Sequence, residues 1–281
     1  MLYLIPLMPL LGAAFAGVAQ RHHRQGAAWL AAACAAASLG LLLTNLNSVL
    51  AGVPAVTTMP WMPALGLNLS FWVDGLSFLF ALLVLVIGLL VILYAVYYLG
   101  PEEPLGRFYG FLMLFMGAML GLALASNLIL MLVFWELTSL SSFLLIGFWK
   151  HRTDARQGAR QALMITGGGG LALLAGILVI GHIVGSFELP AVLAAGDLIR
   201  DHKLYPVALV LVLLGAFTKS AQFPFHYWLP HAMSAPTPVS AYLHSATMVK
   251  AGVFLLARLF PALAGTDLWF FLVGGTGLFT L

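Results

Sequence analysis

Apolar residues dominate the chain in long runs, rather than in the short alternating patterns of a soluble helix or sheet. A helix that crosses the hydrocarbon core of a bilayer needs about 20 mostly apolar residues. The pattern therefore predicts an all-α integral membrane protein, folded as a polytopic helix bundle. The predicted membrane helices lie at residues 2–20, 27–48, 73–99, 108–125, 128–149, 161–185, 204–222 and 239–258, and a further one begins near 268.

The ends and connections of these runs add three expectations. The first run has no basic segment before it, so we expect a membrane helix there rather than a cleaved signal peptide. The longest polar connection, residues 186–206, interleaves apolar residues with acids and bases, which predicts a short surface helix at the outer interface. The last run reaches Leu281 without a flanking charge or loop, so we expect the sequence to be part of a longer chain.

The composition supports membrane insertion and argues against other classes of protein. Hydrophobic residues make up 62% of the chain and charged residues 7%, whereas soluble domains are about one quarter charged. The net charge of +3 is small and scattered, so we expect no nucleic-acid partner. The single cysteine, Cys34, excludes a disulfide within the chain and a cysteine-based metal site, and its alanine-rich surroundings indicate a packing residue.

The basic residues predict the orientation in the membrane, because cytoplasmic loops carry an excess of Lys and Arg. With the N-terminus outside, the inner loops hold seven such residues and the outer side holds three. We therefore expect a multi-pass protein of the cell membrane with an external N-terminus. The inner set is Arg21, Arg24, Arg107, Lys150, Arg152, Arg156 and Arg160, and the outer set is Arg200, Lys203 and Arg258.

Glu136 stands within an otherwise apolar run, "VFWELTSLSS". A charge at the bilayer centre costs about 2.5 to 3.5 kcal/mol, so an intramembrane carboxylate calls for a function or a partner. Ser139 and Ser142 follow Glu136 at steps of three, which predicts a polar stripe able to carry water. The alternatives are a carboxyl kept neutral by burial and a fixed ion pair that holds helices together.

Lys219 is predicted within the membrane, somewhat further in than Glu136 and Lys250, which lie near mid-depth, and directly before a segment rich in proline. Pro224 removes a backbone donor and clashes with the preceding turn, so the helix should break beside the lysine, near residues 220–230. Broken helices at membrane depth recur at ion sites in transporters. The alternative is a lysine that extends to the interface, although a long stretch of helix separates Lys219 from the outer surface.

Other polar residues after Lys219, including a second lysine, Lys250, are candidates for a proton relay. His226 would share a face with Lys219 if the break reorients the chain little. The alternative is a histidine that only hydrogen-bonds the backbone carbonyls left free by the break. His244, Thr247 and Lys250 follow at steps of three, which predicts a second polar stripe, although His244 could be a hydrogen-bonded core residue and Lys250 a structural charge. His231 is expected near the inner interface.

Asp74 and a glycine run have structural interpretations. Asp74 precedes Gly75 at the start of a predicted helix, where an aspartate makes a good N-cap, and it is a secondary translocation candidate together with His231 and Thr247. The glycines of 166–174 lie within an apolar run and indicate close helix packing rather than a phosphate-binding loop. We find no catalytic triad and no metal-ligand spacing, so we expect a transporter without a cofactor rather than an enzyme.

Three stretches of this sequence resemble a known family. "FWELTSLSSFLLIGFW" at 134–149, "KSAQFPFHYWLPHAMSAPTPVSAYLHSATMVKAG" at 219–252 and "DGLS" at 74–77 are similar to the antiporter-like subunits shared by Mrp cation/proton antiporters and respiratory complex I. Within this family the chain looks most like the large A subunit of the Mrp sodium/proton antiporter. In the complex I counterpart, the position of Lys250 is usually not a lysine.

The resemblance implies a fold and a set of site residues. It implies a longer bundle with two inverted five-helix repeats, each with a broken helix. It implies that Glu136 pairs with Lys219, that His244 and Lys250 connect the path onward, and that other membrane subunits, protons and Na⁺ or another monovalent cation are the partners. It divides this chain into N-terminal helices at 1–106, a first repeat at 107–262 and the start of a ninth helix at 263–281.

Two other functions stay open at this point. The same residues could move protons in a redox-driven complex, such as complex I or a membrane-bound hydrogenase, where electron transfer in partner subunits supplies the energy. The chain could instead be a structural membrane subunit whose buried charges only fix helix packing.

Overall fold

The computed structural model describes residues 1–22, 25–62 and 67–281, and of residues 21 and 22 it describes the backbone only. The predicted inner-loop residue Arg24 lies outside the described residues, as does the side chain of Arg21. Helices account for most of the described chain, which confirms the predicted helical class. They are α1 Leu4–His22, α2 Gly26–Leu43, α3 Leu46–Leu50, α4 Gly75–Tyr98, α5 Leu105–Leu124, α6 Leu128–Ile146, α7 Thr153–Val184, α8 Leu189–Ala194, α9 Gly196–Arg200, α10 Tyr205–Lys219, α11 Trp228–Ala232, α12 Thr237–Ser240, α13 Met248–Leu263 and α14 Asp267–Thr280.

Six helices of the described chain are long and apolar enough to cross a membrane. They are α2, α4, α5, α6, α7 and the stretch 237–263, while α1, α10 and α14 are shorter apolar helices. Each predicted run therefore coincides with a helix. The largest difference is α7, which starts at Thr153 rather than at residue 161 because its polar first turns continue the helix beyond the apolar run.

The centre of the bundle is α5, which packs against α1, α2, α4 and α6. Small residues on α5 allow these contacts. A side chain at Gly117 would meet Leu10 of α1, and one at Gly121 would meet the ring of Phe134 on α6. Most of α5 is consequently buried, whereas large parts of α2 and α4 face outward.

A β-hairpin precedes α4, and the sequence analysis did not predict it. Its strands, β1 Ala55–Met62 and β2 Leu67–Val73, are antiparallel and pair Ala55 with Val73. The hairpin lies against the start of α6, since the amide of Ser126 donates to the carbonyl of Ser70 at 2.8 Å. Each strand is shorter than a membrane-spanning run, so the pattern of long apolar runs does not predict it.

The predicted break after Lys219 is confirmed. Helix α10 ends at Lys219, a short 3₁₀ turn covers Phe225–Tyr227, and α11 follows. The freed backbone groups find partners: the indole of Trp228 donates to the carbonyl of Thr218 at 2.9 Å, and the hydroxyl of Ser220 donates to that of Val249 at 2.7 Å. These bonds satisfy polar backbone that could not remain open at membrane depth.

Two other irregularities refine the predictions. The helix predicted over 239–258 is not regular, because Ala241–Thr247 forms a π-helical segment between α12 and α13. The surface helix predicted within 186–206 is present as two short helices, α8 and α9, and their buried residues include Leu189 and Ile199. Arg200 at the end of α9 donates to the carbonyl of Pro261 at 2.9 Å, which fixes these helices against the end of α13.

The glycine run of α7 serves helix packing, as predicted. A side chain at Gly169 would collide with the buried Thr218 of α10, and one at Gly170 would collide with the carboxyl group of Glu136 on α6. Gly167 and Gly168 have open space around the position of a Cβ atom. The run therefore has one face for close approach of α6 and α10 and one face without that requirement.

We expect Gly169→Ala to lower the stability of the protein and Gly168→Ala to preserve or raise it. Both changes remove a glycine from a helix interior, which favours the helix by about 1 kcal/mol. At Gly169 the added methyl group overpacks against Thr218, which costs about 1 to 3 kcal/mol. Thermal unfolding of the two variants in the same detergent measures the difference. Equal melting temperatures would show that α7 and α10 are not closely packed here.

Candidate functional site

Lys219 is the most deeply buried ionisable residue of the predicted path. Its side chain is 0% exposed. The ammonium group donates to the carbonyl of Trp135 at 3.0 Å and to the hydroxyl of Ser139 at 2.7 Å, both on α6. It also lies 5.1 Å from the centroid of the Trp135 ring. The end of α10 thus places a cation against the middle of α6.

The face of α6 that receives Lys219 is the predicted serine stripe. The hydroxyl of Ser142 donates to the carbonyl of Ser139 at 2.8 Å, and both side chains are buried. The carbonyl of Trp135 also accepts from the hydroxyl of Thr138 at 2.6 Å. Hydroxyl groups that bond back to their own helix in this way need no other partner, so the stripe is polar without being charged.

Glu136 does not form the expected ion pair with Lys219. No carboxyl oxygen of Glu136 lies within 4.0 Å of the Lys219 nitrogen, the limit for an ion pair, in the part of the chain described. The carboxyl group of Glu136 instead lies against Gly170 of α7. The two charges are nevertheless close enough to interact electrostatically.

One carboxyl oxygen of Glu136 is buried without a hydrogen-bond partner. Buried polar atoms are normally paired with protein or with ordered water. Together with the serine stripe beside it, the unpaired oxygen makes this part of the α6–α7 contact a place where a proton or a water molecule has an acceptor.

The predicted stripe of His244, Thr247 and Lys250 is not a single surface. His244 and Thr247 fall in the π-helical segment Ala241–Thr247, where the side-chain hydroxyl of Thr247 donates to the carbonyl of Tyr242 at 2.6 Å. The wider turn separates the three residues, so that Thr247 is buried whereas Lys250 is exposed. Steps of three align only on a regular α-helix, which is why this prediction is wrong.

His244 itself lies in the interior beside the helix break. Its ring is 5.9 Å from that of Trp228, whose indole donates to the carbonyl of Thr218, the residue before Lys219. Both ring nitrogens are buried, and the ring faces the backbone of Ala232, with no hydrogen bond of good geometry to the described residues. His244 therefore lies near the break with at least one nitrogen available.

His226 and His231 lie away from Lys219. Both residues are exposed. The ring of His226 stacks on Phe223 at 5.9 Å, and a ring nitrogen of His231 is 2.9 Å from the carbonyl of Tyr227. The break turns the chain enough that His226 does not share a face with Lys219, which corrects that expectation.

Asp74 is an N-cap, as predicted, and it also binds a residue that the sequence analysis misplaced. Its carboxyl group accepts from the amide of Ser77 at 2.8 Å, which caps α4. It also forms two hydrogen bonds with the guanidinium group of Arg258, which donates in addition to the hydroxyl of Ser77 at 2.6 Å. Arg258 was expected in an outer loop because the predicted helix ended at 258, but α13 continues to Leu263.

The environment of Arg258 makes this pair a fixed contact between α4 and α13. The Arg258 side chain is 5% exposed and lies between the rings of Trp72 and Phe254, at 5.4 and 5.3 Å. Partial burial disfavours the charged carboxylate of Asp74, but the hydrogen bonds from Arg258 and the Ser77 amide outweigh this and hold its pKa below the ordinary value. Arg258 thus has a carboxylate as a direct partner, whereas the hydrogen-bond partners of Lys219 are neutral.

Two protein families match parts of this chain. The family described as "NADH:quinone oxidoreductase/Mrp antiporter, TM" matches residues 125–280. That described as "NADH-Ubiquinone oxidoreductase (complex I), chain 5 N-terminus" matches residues 61–109. The first match includes Glu136, Lys219 and His244.

Two curated relatives are similar over most of the chain. The probable A/B subunit of a K(+)/H(+) antiporter of Rhizobium meliloti is 56% identical over 275 residues, which is 98% of this chain and 28% of the relative. The A subunit of a Na(+)/H(+) antiporter of Alkalihalophilus pseudofirmus is 56% identical over 225 residues, which is 80% of this chain and 28% of the relative. The chain thus spans less than a third of the length of these relatives.

Two solved structures share the fold. A chain of the Mrp complex from Dietzia sp. DQ12-45-1b superposes with a TM-score of 0.86 at 38% identity, covering 95% of this chain and 29% of that one. A chain of the membrane-bound sulfane sulfur reductase, an archaeal respiratory membrane complex, superposes with a TM-score of 0.83 at 22% identity, covering 97% of this chain and 55% of that one. The second likeness shows the fold alone.

We expect Arg258→Gln to destabilise the protein by about 3 to 5 kcal/mol, because it leaves the half-buried Asp74 without its counter-ion. The exposed pair Arg152 and Asp154 is the matched control, with side chains 44% and 54% exposed. Arg152→Gln should leave the stability nearly unchanged, because solvent screens an exposed ion pair. Thermal unfolding of each variant in detergent measures both effects. A loss at Arg258 no larger than that at Arg152 would contradict the role of Arg258 as a fixed contact.

Proposed function

The chain belongs to the NADH:quinone oxidoreductase/Mrp antiporter family of membrane subunits, and we propose that it is part of a proton-translocating subunit of a monovalent cation/proton antiporter, of the large A-subunit type. The observation that carries the proposal is Lys219, a fully buried amine at the end of a helix that stops within the bundle. Relatives named as antiporter subunits over nearly the whole chain support the same function.

The contacts of Lys219 suit a group that changes its protonation state. Its partners are a backbone carbonyl and a serine hydroxyl, and neither carries a charge. A hydroxyl group can accept from an ammonium ion or, after rotation, donate to a neutral amine. The Ser139 contact therefore supports Lys219 in both states without movement of heavy atoms. A fixed ion pair would favour only the charged state.

Glu136 provides the charge that couples to this event. Its carboxyl group interacts electrostatically with Lys219 but lies against Gly170 of α7, beyond ion-pair distance from the Lys219 nitrogen. In a low-dielectric interior, loss of the Lys219 proton changes the energy of the Glu136 carboxylate, and the reverse also holds. We propose that proton entry is controlled by the combined charge state of Glu136 and Lys219.

The path onward is proposed to use His244 and Lys250. His244 lies beside Trp228 at the break, and its imidazole ring has two nitrogens, so it can take a proton on one side and release it on the other. Lys250 is exposed on the face that would meet a neighbour. His226, His231, Thr247 and Asp74 are left without a direct role in this path.

The setting in the membrane is part of the proposal. We propose a multi-pass protein of the cell membrane with an external N-terminus, helices 1–106, a first repeat at 107–262 and a ninth helix from 263, with further membrane subunits and an inverted second repeat as partners. H⁺ and a monovalent cation are the proposed ions. The relatives are named for K⁺/H⁺ and for Na⁺/H⁺ exchange, so the cation itself is a choice between these two.

A redox-driven proton pump is the second candidate. The family description includes NADH:quinone oxidoreductase, and the fold is shared with a chain of a respiratory membrane complex. Purification of the assembled complex separates the two functions, because iron–sulfur absorption would favour the pump and its lack together with cation-driven proton flux would favour the antiporter. A purely structural role is the third, and it requires that charge variants lose assembly in proportion to activity.

We expect Lys219→Met, and separately Glu136→Gln, to reduce cation-driven proton flux to background in membrane vesicles carrying the assembled complex. Both changes keep the size of the side chain and remove the exchangeable charge. The matched control is Lys203→Met, because Lys203 is an exposed lysine in the connection before α10. Assembly of the complex is measured on the same vesicles. Wild-type flux in both buried variants would remove the basis for this function.

We also expect Gly170→Ala to reduce flux more than it reduces stability. The added methyl group occupies the space of the Glu136 carboxyl group, the flexible end of a side chain, so the carboxyl group moves while the helices keep their positions. Gly168→Ala, two residues away with open space around it, is the control. Flux equal in the two variants, at equal assembly, would show that the position of the Glu136 carboxyl group does not matter.

A further inference from the structure

A pocket of about 550 Å³ opens between α5, the end of α6 and the first turns of α7. It lies apart from Lys219 and Glu136. One wall is apolar and consists of Phe111, Phe143 and Leu144, all partly buried. The rim is basic and consists of Lys150, Arg156 and Arg160, all exposed.

The three basic residues of the rim have no anionic partner in the described part of the chain. None of them forms an ion pair or a side-chain hydrogen bond there. Two acids near the rim are already engaged: Asp154 binds Arg152, and Glu103 accepts from the indole of Trp149, the residue before Lys150, at 2.9 Å. Three like charges on one rim repel each other, so a bound anion would stabilise this arrangement.

The length of α7 places this rim at the level of lipid headgroups. The helix has 32 residues and is about 48 Å long, whereas the hydrocarbon core is about 30 Å thick. Arg160 is the last residue of α7 that carries a full charge, and the apolar part follows it. The first turns therefore project beyond the core, with the basic rim at the boundary and the apolar wall on the membrane side.

We propose that this pocket binds an anionic phospholipid, with its phosphate on Lys150, Arg156 and Arg160 and an acyl chain along Phe111, Phe143 and Leu144. Guanidinium groups bind phosphate in a planar, bidentate manner. Basic pockets between membrane helices hold anionic headgroups on the side of the negative leaflet, which is the side predicted for these residues. A free phosphate or an acidic peptide would leave the apolar wall without a role.

Photo-crosslinking with lipids of defined headgroup tests the site in the assembled complex. The probes are phosphatidylglycerol and phosphatidylcholine that carry the same photoreactive acyl chain, in vesicles of otherwise equal composition. Mass spectrometry of peptides that contain Phe111 or Phe143 locates the crosslinks. We expect phosphatidylglycerol to label these peptides in preference to phosphatidylcholine. The preference should fall by about fivefold for each basic residue removed, and about thirtyfold for the pair Arg156→Gln and Arg160→Gln.

Three controls make the result decisive. Arg152→Gln removes a nearby charge that is already paired with Asp154 and should leave labelling unchanged. The pair Arg156→Lys and Arg160→Lys keeps the charge and should retain most of the preference. If the pair Arg156→Gln and Arg160→Gln does not assemble, Lys150→Gln alone measures the effect of removing a charge from the rim. Inorganic phosphate should not displace the lipid at equal concentration.

Three outcomes would overturn the proposal. Equal labelling by the two lipids would show that the headgroup charge is not recognised. Displacement by inorganic phosphate would reduce the site to one for a free anion. An absence of lipid labelling in the complex would indicate that a protein partner covers the rim. None of these outcomes depends on proton flux, so the lipid site and the proposed transport function stand or fall separately.

Discussion

The hydrogen bonds that Lys219 donates to α6 are the interaction on which the rest of the structure depends. A helix that ends at membrane depth exposes backbone carbonyls and amides, and lipid cannot satisfy them. Here the break is closed from three sides: Lys219 binds the carbonyl of Trp135, Trp228 binds that of Thr218, and Ser220 binds that of Val249. Close approach of α7 through its glycine face completes the enclosure. The break is thus stable because α6, α11 and α13 all contribute polar groups to it.

Lys219 and Arg258 are the two buried cations of the described residues, and their surroundings differ. Arg258 has a carboxylate and a hydroxyl as partners and lies between two aromatic rings, so its charge is matched and its geometry is fixed. Lys219 has only neutral partners within bonding distance, and Glu136 acts on it from beyond that distance. A matched pair resists a change of charge, whereas a charge held by neutral groups can be altered by a proton or by a neighbour. The first arrangement suits a structural contact and the second suits transport.

The sequence was sufficient for the helices and for the break, but not for the details of the site. Apolar runs and Pro224 are local signals, and each acts through the residues next to it. The direction of the Glu136 carboxyl group depends on where α7 and α10 pack around α6, which no local pattern reports. The separation of His244 from Lys250 depends on a π-helical segment that has no clear signature in the sequence. Arg258 was misplaced because a charged residue near the end of an apolar run resembles a loop, and its partner Asp74 is distant in sequence.

Lys250 connects the structure of this chain to what must surround it. The residue is exposed, and the helix that carries it belongs to a stretch able to cross a membrane. A lysine facing lipid near the centre of a bilayer costs about 2.5 to 3.5 kcal/mol, and nothing in the described chain offsets that cost. The curated relatives are more than three times as long as the part that this chain matches, so in those proteins further segments are available to cover the corresponding face. A polar neighbour at Lys250 would remove the cost, and under the proposed function it would extend the proton path beyond His244.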